Sequence, residues 1–321
     1  MVMPEGYREG GSLPTLRAEL ADYFSFVQAH WFNPEPPGTP ENWGNKRNRH
    51  HHYTYADGAT LDIAEGGLLI YRAESRLVQL LYTLGGMAHN WAGWYDGMES
   101  SLEKETLFCG TLAQAQAAAE ALLARLRFSG QLVYALDMSV ARIHVLGEKY
   151  NALLREGNPD HQAIYEYDGV TLEDECFYLV YQGRIGNVPV NNQGIHLNNS
   201  QDVVGGMFVG LIYGKGGIKL ANVNSTYLAG AMVEQNELLT SGQALGVFQS
   251  SFRAVQKGHC KGILRAELLY APWRKVGGKD LVLLPCWRIT YLHSSDDENA
   301  PYYHPLPMDA YLSAVDGKIL N

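Results

Sequence analysis

Two stretches of this chain open a helix in the same way, and the match extends to what surrounds them. Thr111-Leu112-Ala113-Gln114 and Thr240-Ser241-Gly242-Gln243 each place a Thr three residues before a Gln. That spacing lets the Thr hydroxyl accept from the amide three residues on, while the Gln side chain reaches back to the Thr amide. Apolar residues follow at helical spacing: Leu112, Ala115, Ala119, Leu122, Leu123 and Leu126 in the first, then Leu245, Phe248, Phe252 and Val255 in the second. Each run closes with cations and a glycine: Arg125, Arg127 and Gly130, then Arg253, Lys257 and Gly258. Cations suit the negative pole of a helix, and glycine suits the left-handed residue that ends one.

The flanks repeat as well. Gly66-Gly67 leads into a strand-like run at 68–71, and Gly216-Gly217 into one at 218–220. After the helices come the runs 132–136 and 263–270, and later 176–181 and 281–289. An extra apolar segment, 73–97, reads as a further helix in the first unit only. Strands joined by short turns, with one long helix beside them, predict an α+β fold. The expected form is two repeated units, each an antiparallel sheet with one main helix packed on a face, plus an N-terminal helix. Leu16, Leu20, Tyr23, Phe24, Val27 and Trp31 set that helix at 16–32, and the Pro-, Gly- and Asn-rich stretch 33–48 reads as an irregular loop. The expected organisation is therefore 1–55 as N-terminal helix and loop, 56–195 as the first unit and 196–321 as the second.

Composition limits function. Hydrophobic residues make up 46% of the 321 and charged residues 18%, enough for a sizeable core. A net charge of -9 and no basic run argue against nucleic acid as a partner. Twenty Tyr and six Trp fit sheet packing, with an aromatic ligand face as the alternative. Cys109, Cys176, Cys260 and Cys286 form no CxxC pair, so they read as buried thiols or long-range disulfides. No run of about 18 apolar residues exists to span a bilayer. Met1 to Glu5 lack a hydrophobic signal region, so a leader or membrane tether is expected outside these 321 residues.

Each chemical motif falls short on geometry. His50-His51-His52 is the loudest local feature. On a strand, His50 and His52 share a face and His51 points away. A metal needs a third partner and a second shell, and the local sequence offers neither. The tract therefore reads as a polar loop entering a strand at Tyr53. His259-Cys260 follows a helix C-terminus, the wrong pole to activate a thiol. The glycine tract from Gly205 to Gly217 lacks the phosphate-loop spacing, because Val209 and Gly216 stand where Gly and Ser/Thr are required. It reads instead as a strand and a Gly-Gly turn. Asp296-Asp297-Glu298 reads as a solvated loop tip, and Asp174-Glu175 has no matched carboxylate for glycoside hydrolysis. Neither a Gly-x-Ser-x-Gly elbow nor a His-Glu-x-x-His helix occurs. No catalytic, cofactor-binding or metal-ligating residue is assigned, and no cofactor is expected.

Several segments resemble a known group. Leu283-Leu284-Pro285-Cys286-Trp287-Arg288, followed by the run from Met308 through Asp316-Gly317 to Leu320, is similar to the close of PepSY-like domains. It is especially similar to the YycH/YycI-like cell-envelope regulatory proteins of Gram-positive bacteria. Tyr181 to Val190 looks like a strand pair of the same group, and the Thr-x-x-Gln-Ala helix openings fit too. The resemblance covers roughly residues 60 to 321 by pattern, and its motifs are fold positions. Asp316-Gly317, for instance, reads as a tight type I′ hairpin turn. The resemblance implies an extracytoplasmic, often membrane-anchored protein that regulates through contact with an envelope protein or ligand, without catalysis. The alternatives are a cell-wall or carbohydrate hydrolase and a peptidase-inhibitor-like module that adds a strand to a partner.

Overall fold

In this computed structural model the described residues are 41–43, 50–64, 68–73, 76–91, 102–126, 128–157, 169–192, 195–196, 203–204, 206–224, 238–274, 281–294 and 306–320. In chain order their elements are β1 (Glu41–Trp43), β2 (His50–Thr54), β3 (Thr60–Ala64), β4 (Leu68–Arg72), α1 (Arg76–Trp91), β5 (Thr106–Leu107), β6 (Gly110–Thr111), α2 (Leu112–Arg125), β7 (Gly130–Met138) and α3 (Val140–Gly157). There follow β8 (Cys176–Ile185), β9 (Val188–Pro189), β10 (Ile195–His196), β11 (Val203–Val204), β12 (Phe208–Gly214), β13 (Gly217–Asn224), α4 (Ser241–Ser251), α5 (Arg253–Gln256), β14 (Cys260–Arg274), β15 (Leu281–His293) and β16 (Leu306–Ser313). The fold is α+β, with helices packed on antiparallel sheets. The helix expected at 16–32 lies outside the described residues.

The chain divides into two units. The larger draws on Arg17–Gln182 and Phe208–Thr226, the smaller on Met1–Leu16, Gly183–Met207 and Tyr227–Asn321. In the larger unit the strand order is β1-β2-β3-β4-β13-β12-β8-β7. Every neighbouring pair from β1 to β8 is antiparallel. β8 is buried on both faces, which is why Cys176 to Tyr181 reads as one unbroken apolar run. Tyr178 and Val180 face α1 and α3, packing with Ile212, Leu220, Leu84 and Ile143. Phe177, Leu179 and Tyr181 point the other way, where Tyr181 lies close enough to feel Glu120 of α2. Each fully buried side chain of this size stabilises by about 1.5–3 kcal/mol, so the two-sided core dominates the unit.

The smaller unit holds the meander β14-β15-β16. One face packs Ile289, Tyr291, Ala310 and Leu312 against Phe248 of α4. Both expected capping boxes are present. Thr111 N donates to Gln114 Oε1 at 2.9 Å and Gln114 N to Thr111 Oγ1 at 3.2 Å. The corresponding distances at Thr240 and Gln243 are 2.8 and 3.3 Å. α4 ends at Ser251, earlier than its apolar spacing suggests, because Phe252 turns extended and stacks on Phe248 at 4.9 Å. Gly258 takes the expected left-handed conformation (φ 75°), whereas Gly130 is the first residue of β7. A Cβ on Gly130 would stand 2.3 Å from the Phe128 ring and 2.7 Å from the Gln182 carbonyl.

Three expectations about organisation change. The turn and strand at 216–220 do not open the second unit: β13 hydrogen-bonds to β4 and β12 in the larger sheet. Residues 41–43 and 50–54 are not N-terminal loop but strands β1 and β2 of that sheet. Around Asp316-Gly317 the turn is longer than two residues: Leu312 bridges Ile319, and Gly317 N donates to the Ser313 carbonyl at 2.9 Å. What the two units share is a capped helix followed by strands that lie in sequence order, β7-β8-β12 in one and β14-β15-β16 in the other.

Candidate functional site

The glycine tract is strand and turn. Gly214 pairs with Gly217 across Lys215-Gly216, and Gly216 and Gly217 both have positive φ. Gly210 in β12 has a packing reason to be glycine, since a Cβ there would stand 2.7 Å from the Tyr82 hydroxyl. Tyr82 projects from α1 and accepts from Asn222 Nδ2 at 2.9 Å. Burial pushes its phenol up to about 12, partly offset by that hydrogen bond.

From Asn222 a row runs outward across the sheet on the face that carries α1. The register sets Asn222 opposite Ile70, Ile70 opposite Asp62, Asp62 opposite His52 and His52 opposite Glu41. On this row His52 Nδ1 meets Asp62 Oδ1 at 2.6 Å. Asp62 Oδ2 accepts from Arg72 Nη1 at 2.7 Å, and Arg72 Nε donates to Gln79 Oε1 of α1 at 3.1 Å. His52 Nε2 stands 3.4 Å from Thr54 Oγ1. The side chains of His52, Asp62 and Arg72 are 26%, 27% and 34% exposed, so the ladder is ordered by its own contacts yet open to solvent. Alternation explains it: Tyr53, Leu61 and Tyr71 fill the opposite face, which leaves the polar residues between them on this one. The histidine tract thus does lie on a strand. Its partners Asp62 and Arg72 are invisible locally, because cross-strand register alone brings them in.

A second polar cluster lies on the face of the smaller sheet opposite the one that packs α4. Arg288 is buried and donates through Nη2 to Glu267 Oε1 at 2.5 Å, and through Nη1 to Asn192 Oδ1 at 3.1 Å. Glu267 also holds Arg265 at 2.7 Å. Tyr311, opposite Arg288 on β16, donates to Asn191 Oδ1 at 3.2 Å. Burial is the main reason its phenol rises to about 12. Asn191 arrives on an extended segment that pairs with β14: Val190 bridges Tyr270, and Asn191 N donates to the Tyr270 carbonyl at 2.8 Å.

The remaining candidates that are described make contacts within the fold. Glu175 accepts from Phe108 N at 3.0 Å and from Val140 N at 3.2 Å, which pins the β5–β6 hairpin to the start of α3. Asp174 closes a third capping box with Thr171. Asp137 accepts from Glu103 N and from Arg142. All four cysteines are free thiols, with Cys176 and Cys286 buried and their thiols pushed up by that burial. Burial likewise lifts Cys109 to about 11. The His259 ring packs edge-on against His293 at 5.4 Å, and Cys260 pairs with His293 across the strands. Asp296-Asp297-Glu298 lie outside the described residues. Among the described side chains, no three His, Cys, Asp or Glu groups converge, and no helix is long and apolar enough to cross a membrane.

No protein-family model and no curated protein matches this chain. Among solved structures, the crystal structure of an uncharacterized protein from Eubacterium rectale ATCC 33656, at 1.45 Å resolution, is similar in fold. The TM-score is 0.59 at 10% identity, and the match covers 99% of this chain and 84% of that one. At that identity the likeness is one of fold.

Proposed function

We propose that this protein is a non-catalytic binding or regulatory protein of the PepSY/YycI-like kind, acting outside the cytoplasm through contact with an envelope protein or ligand. The observation that carries the reading is the half-exposed His52–Asp62–Arg72 ladder beside α1. Charges of both signs, held in place by one another on a sheet, give a polar partner fixed donors and acceptors at little ordering cost. The buried carboxylates Asp137 and Glu175, and the partly buried Glu267, support the same reading, since each is engaged by amides or guanidinium groups.

Strand addition is the second reading, and one observation favours it. The edge of β14 already takes an extended segment of its own chain at Val190 and Asn191.

The test is a photo-crosslinking residue at Thr54, compared with one at Leu264 on β14, in cells fractionated and treated with protease. The contact reading expects a protease-accessible protein and a discrete adduct from position 54 that Arg72→Glu removes. An adduct from position 264 alone would favour strand addition. Protease protection in spheroplasts would overturn the location. Turnover of cell-wall or carbohydrate substrates by the purified chain would overturn the non-catalytic reading.

A further inference from the structure

Three loops meet at the end of the larger sheet where β8 begins and β12 ends, and they hold two apolar side chains out in water. Phe108 is 52% exposed in the turn that joins β5 to β6, and Leu172 is 59% exposed in the single turn Leu172–Asp174. Lys215, in the β12–β13 turn, links the two. Its Nζ lies 5.5 Å from the centre of the Phe108 ring and 2.7 Å from Oε1 of Glu173, the residue after Leu172.

Single exposed apolar residues are ordinary, and a lysine over the ring would be enough to explain Phe108 alone. What calls for a reason is how firmly both tips are fixed. Phe108 N donates to Oε2 of the buried Glu175 at 3.0 Å. The turn that carries Leu172 is closed by its own capping box: Thr171 N donates to Asp174 Oδ2 at 2.8 Å, and Glu173 N to Thr171 Oγ1 at 3.3 Å. Side chains on a backbone already ordered lose little freedom on binding, and a well-placed aromatic anchor supplies much of a contact's energy.

Charge selects the occupant. Lys215 and Glu173 are 54% and 65% exposed, so the patch presents one cation and one anion side by side. An anionic membrane calls for a surplus of cations, which this pair does not offer. A patch with paired opposite charges is complementary to itself. Turned about a two-fold axis, Lys215 of each copy faces Glu173 of the other, and the apolar tips come together. A net charge of -9 makes copies of the chain repel, and a self-contact is least opposed where the local charge balances. We propose that Phe108, Leu172, Glu173 and Lys215 form a two-fold self-association surface that takes a second copy of this chain. The surface is separate from the His52 ladder, so crosslinking at position 54 succeeds or fails whatever happens here.

The test is sedimentation equilibrium of the untagged full-length chain. Two apolar tips and a pair of charges place the contact in the weak class, below about 1,200 Å² of total buried surface. A reversible monomer–dimer equilibrium is expected, with a dissociation constant between about 10 μM and 1 mM. Phe108→Ser and Leu172→Ser should each weaken it at least about tenfold. Lys215→Glu and Glu173→Lys should each weaken it at least about fivefold, because a two-fold contact counts every change twice. Mixed in equal amounts, the two charge-reversed chains should pair again, within about threefold of the unaltered affinity. Val145→Ser, at a comparably exposed position (54%) on α3, should change nothing. Far-UV circular dichroism checks that each variant folds, and the mixture carries the test if a serine variant does not. The proposal is overturned by a chain that stays monomeric up to about 1 mM, by a dimer that Phe108→Ser leaves intact, by equal weakening from Val145→Ser, or by charge-reversed chains that fail to pair. Phosphatidylglycerol vesicles serve as a parallel arm. A monomeric chain that binds them and loses binding in Phe108→Ser would put a bilayer in place of the second copy, which also overturns it.

Discussion

At the scale of single residues, two glycines in helices should respond in opposite directions to the same change. A Cβ on Gly85 of α1 would stand 2.4 Å from Cγ of Tyr178. That ring is buried between Tyr82, at 5.6 Å, and Tyr134, at 6.1 Å, so it has little room to slide. Alanine in place of glycine gains about 0.5–1 kcal/mol of helix stability. Overpacking a filled core costs about 1–3 kcal/mol, so the clash wins at Gly85. Gly246 of α4 has no neighbour within 4 Å of its would-be Cβ, so only the gain remains. Gly85→Ala should lower the urea midpoint and Gly246→Ala should raise it. Shifts of the same sign in both variants would refute the packing argument. Gly85 was not legible in the sequence, because its contact lies 93 positions away on β8.

At the scale of elements, the boundary between legible and illegible follows the range of the interaction. The capping boxes at Thr111 and Thr240 were legible because everything that makes one lies within four residues. The same holds for the Gly-Gly turn at 216–217, whose positive φ angles only glycine adopts cheaply. By contrast, α3 went unseen although Ile143 and Leu146 lie one turn apart and are buried. β13 was given to the wrong unit because its partner β4 is some 150 residues earlier. The ladder was missed for the same reason: His52 is loud, but Asp62 and Arg72 become its neighbours only through pairing. The local rule carries a prediction of its own. α4 has 11 residues and buries only Ala244 and Phe248, so it leans on its cap more than the 14-residue α2, which buries four. Thr240→Ala should cost about 1 kcal/mol and speed amide exchange through α4. Thr111→Ala should cost a similar amount overall but leave exchange in the buried half of α2 nearly unchanged. Equal loss of protection in both helices would show that the cap, not the packing, sets their local stability.

At the scale of the whole molecule, the first response to acid should come from histidines rather than carboxylates, and each unit has one. Burial lowers the pKa of His89 on α1, whose ring lies 4.8 Å from that of Tyr134. In the smaller unit, desolvation and the neighbouring His259 lower that of His293. An unfolded histidine takes up its proton near 6.5, while these folded ones hold out to lower pH. The unfolded state therefore binds more protons just below 6.5, and stability falls there as pH drops, until the folded groups protonate too. Asp316 acts in a separate window. Its hydrogen bonds with Lys318 and Ser313 hold it at about 2, so the stability it adds is present above its ordinary 3.8 and is lost as pH falls through 2. It sits on an exposed turn, so that contribution should stay below about 1 kcal/mol. Hydrogen exchange read by mass spectrometry at pH 7 and pH 5 separates the units. His89→Phe keeps an aromatic ring against Tyr134 without a titrating group. It should restore pH 5 protection in α1 and β7 and leave β14 to β16 as sensitive as before. His293→Phe should do the reverse. If either variant protects both units equally, or neither changes the loss between pH 7 and 5, the acid response has another source.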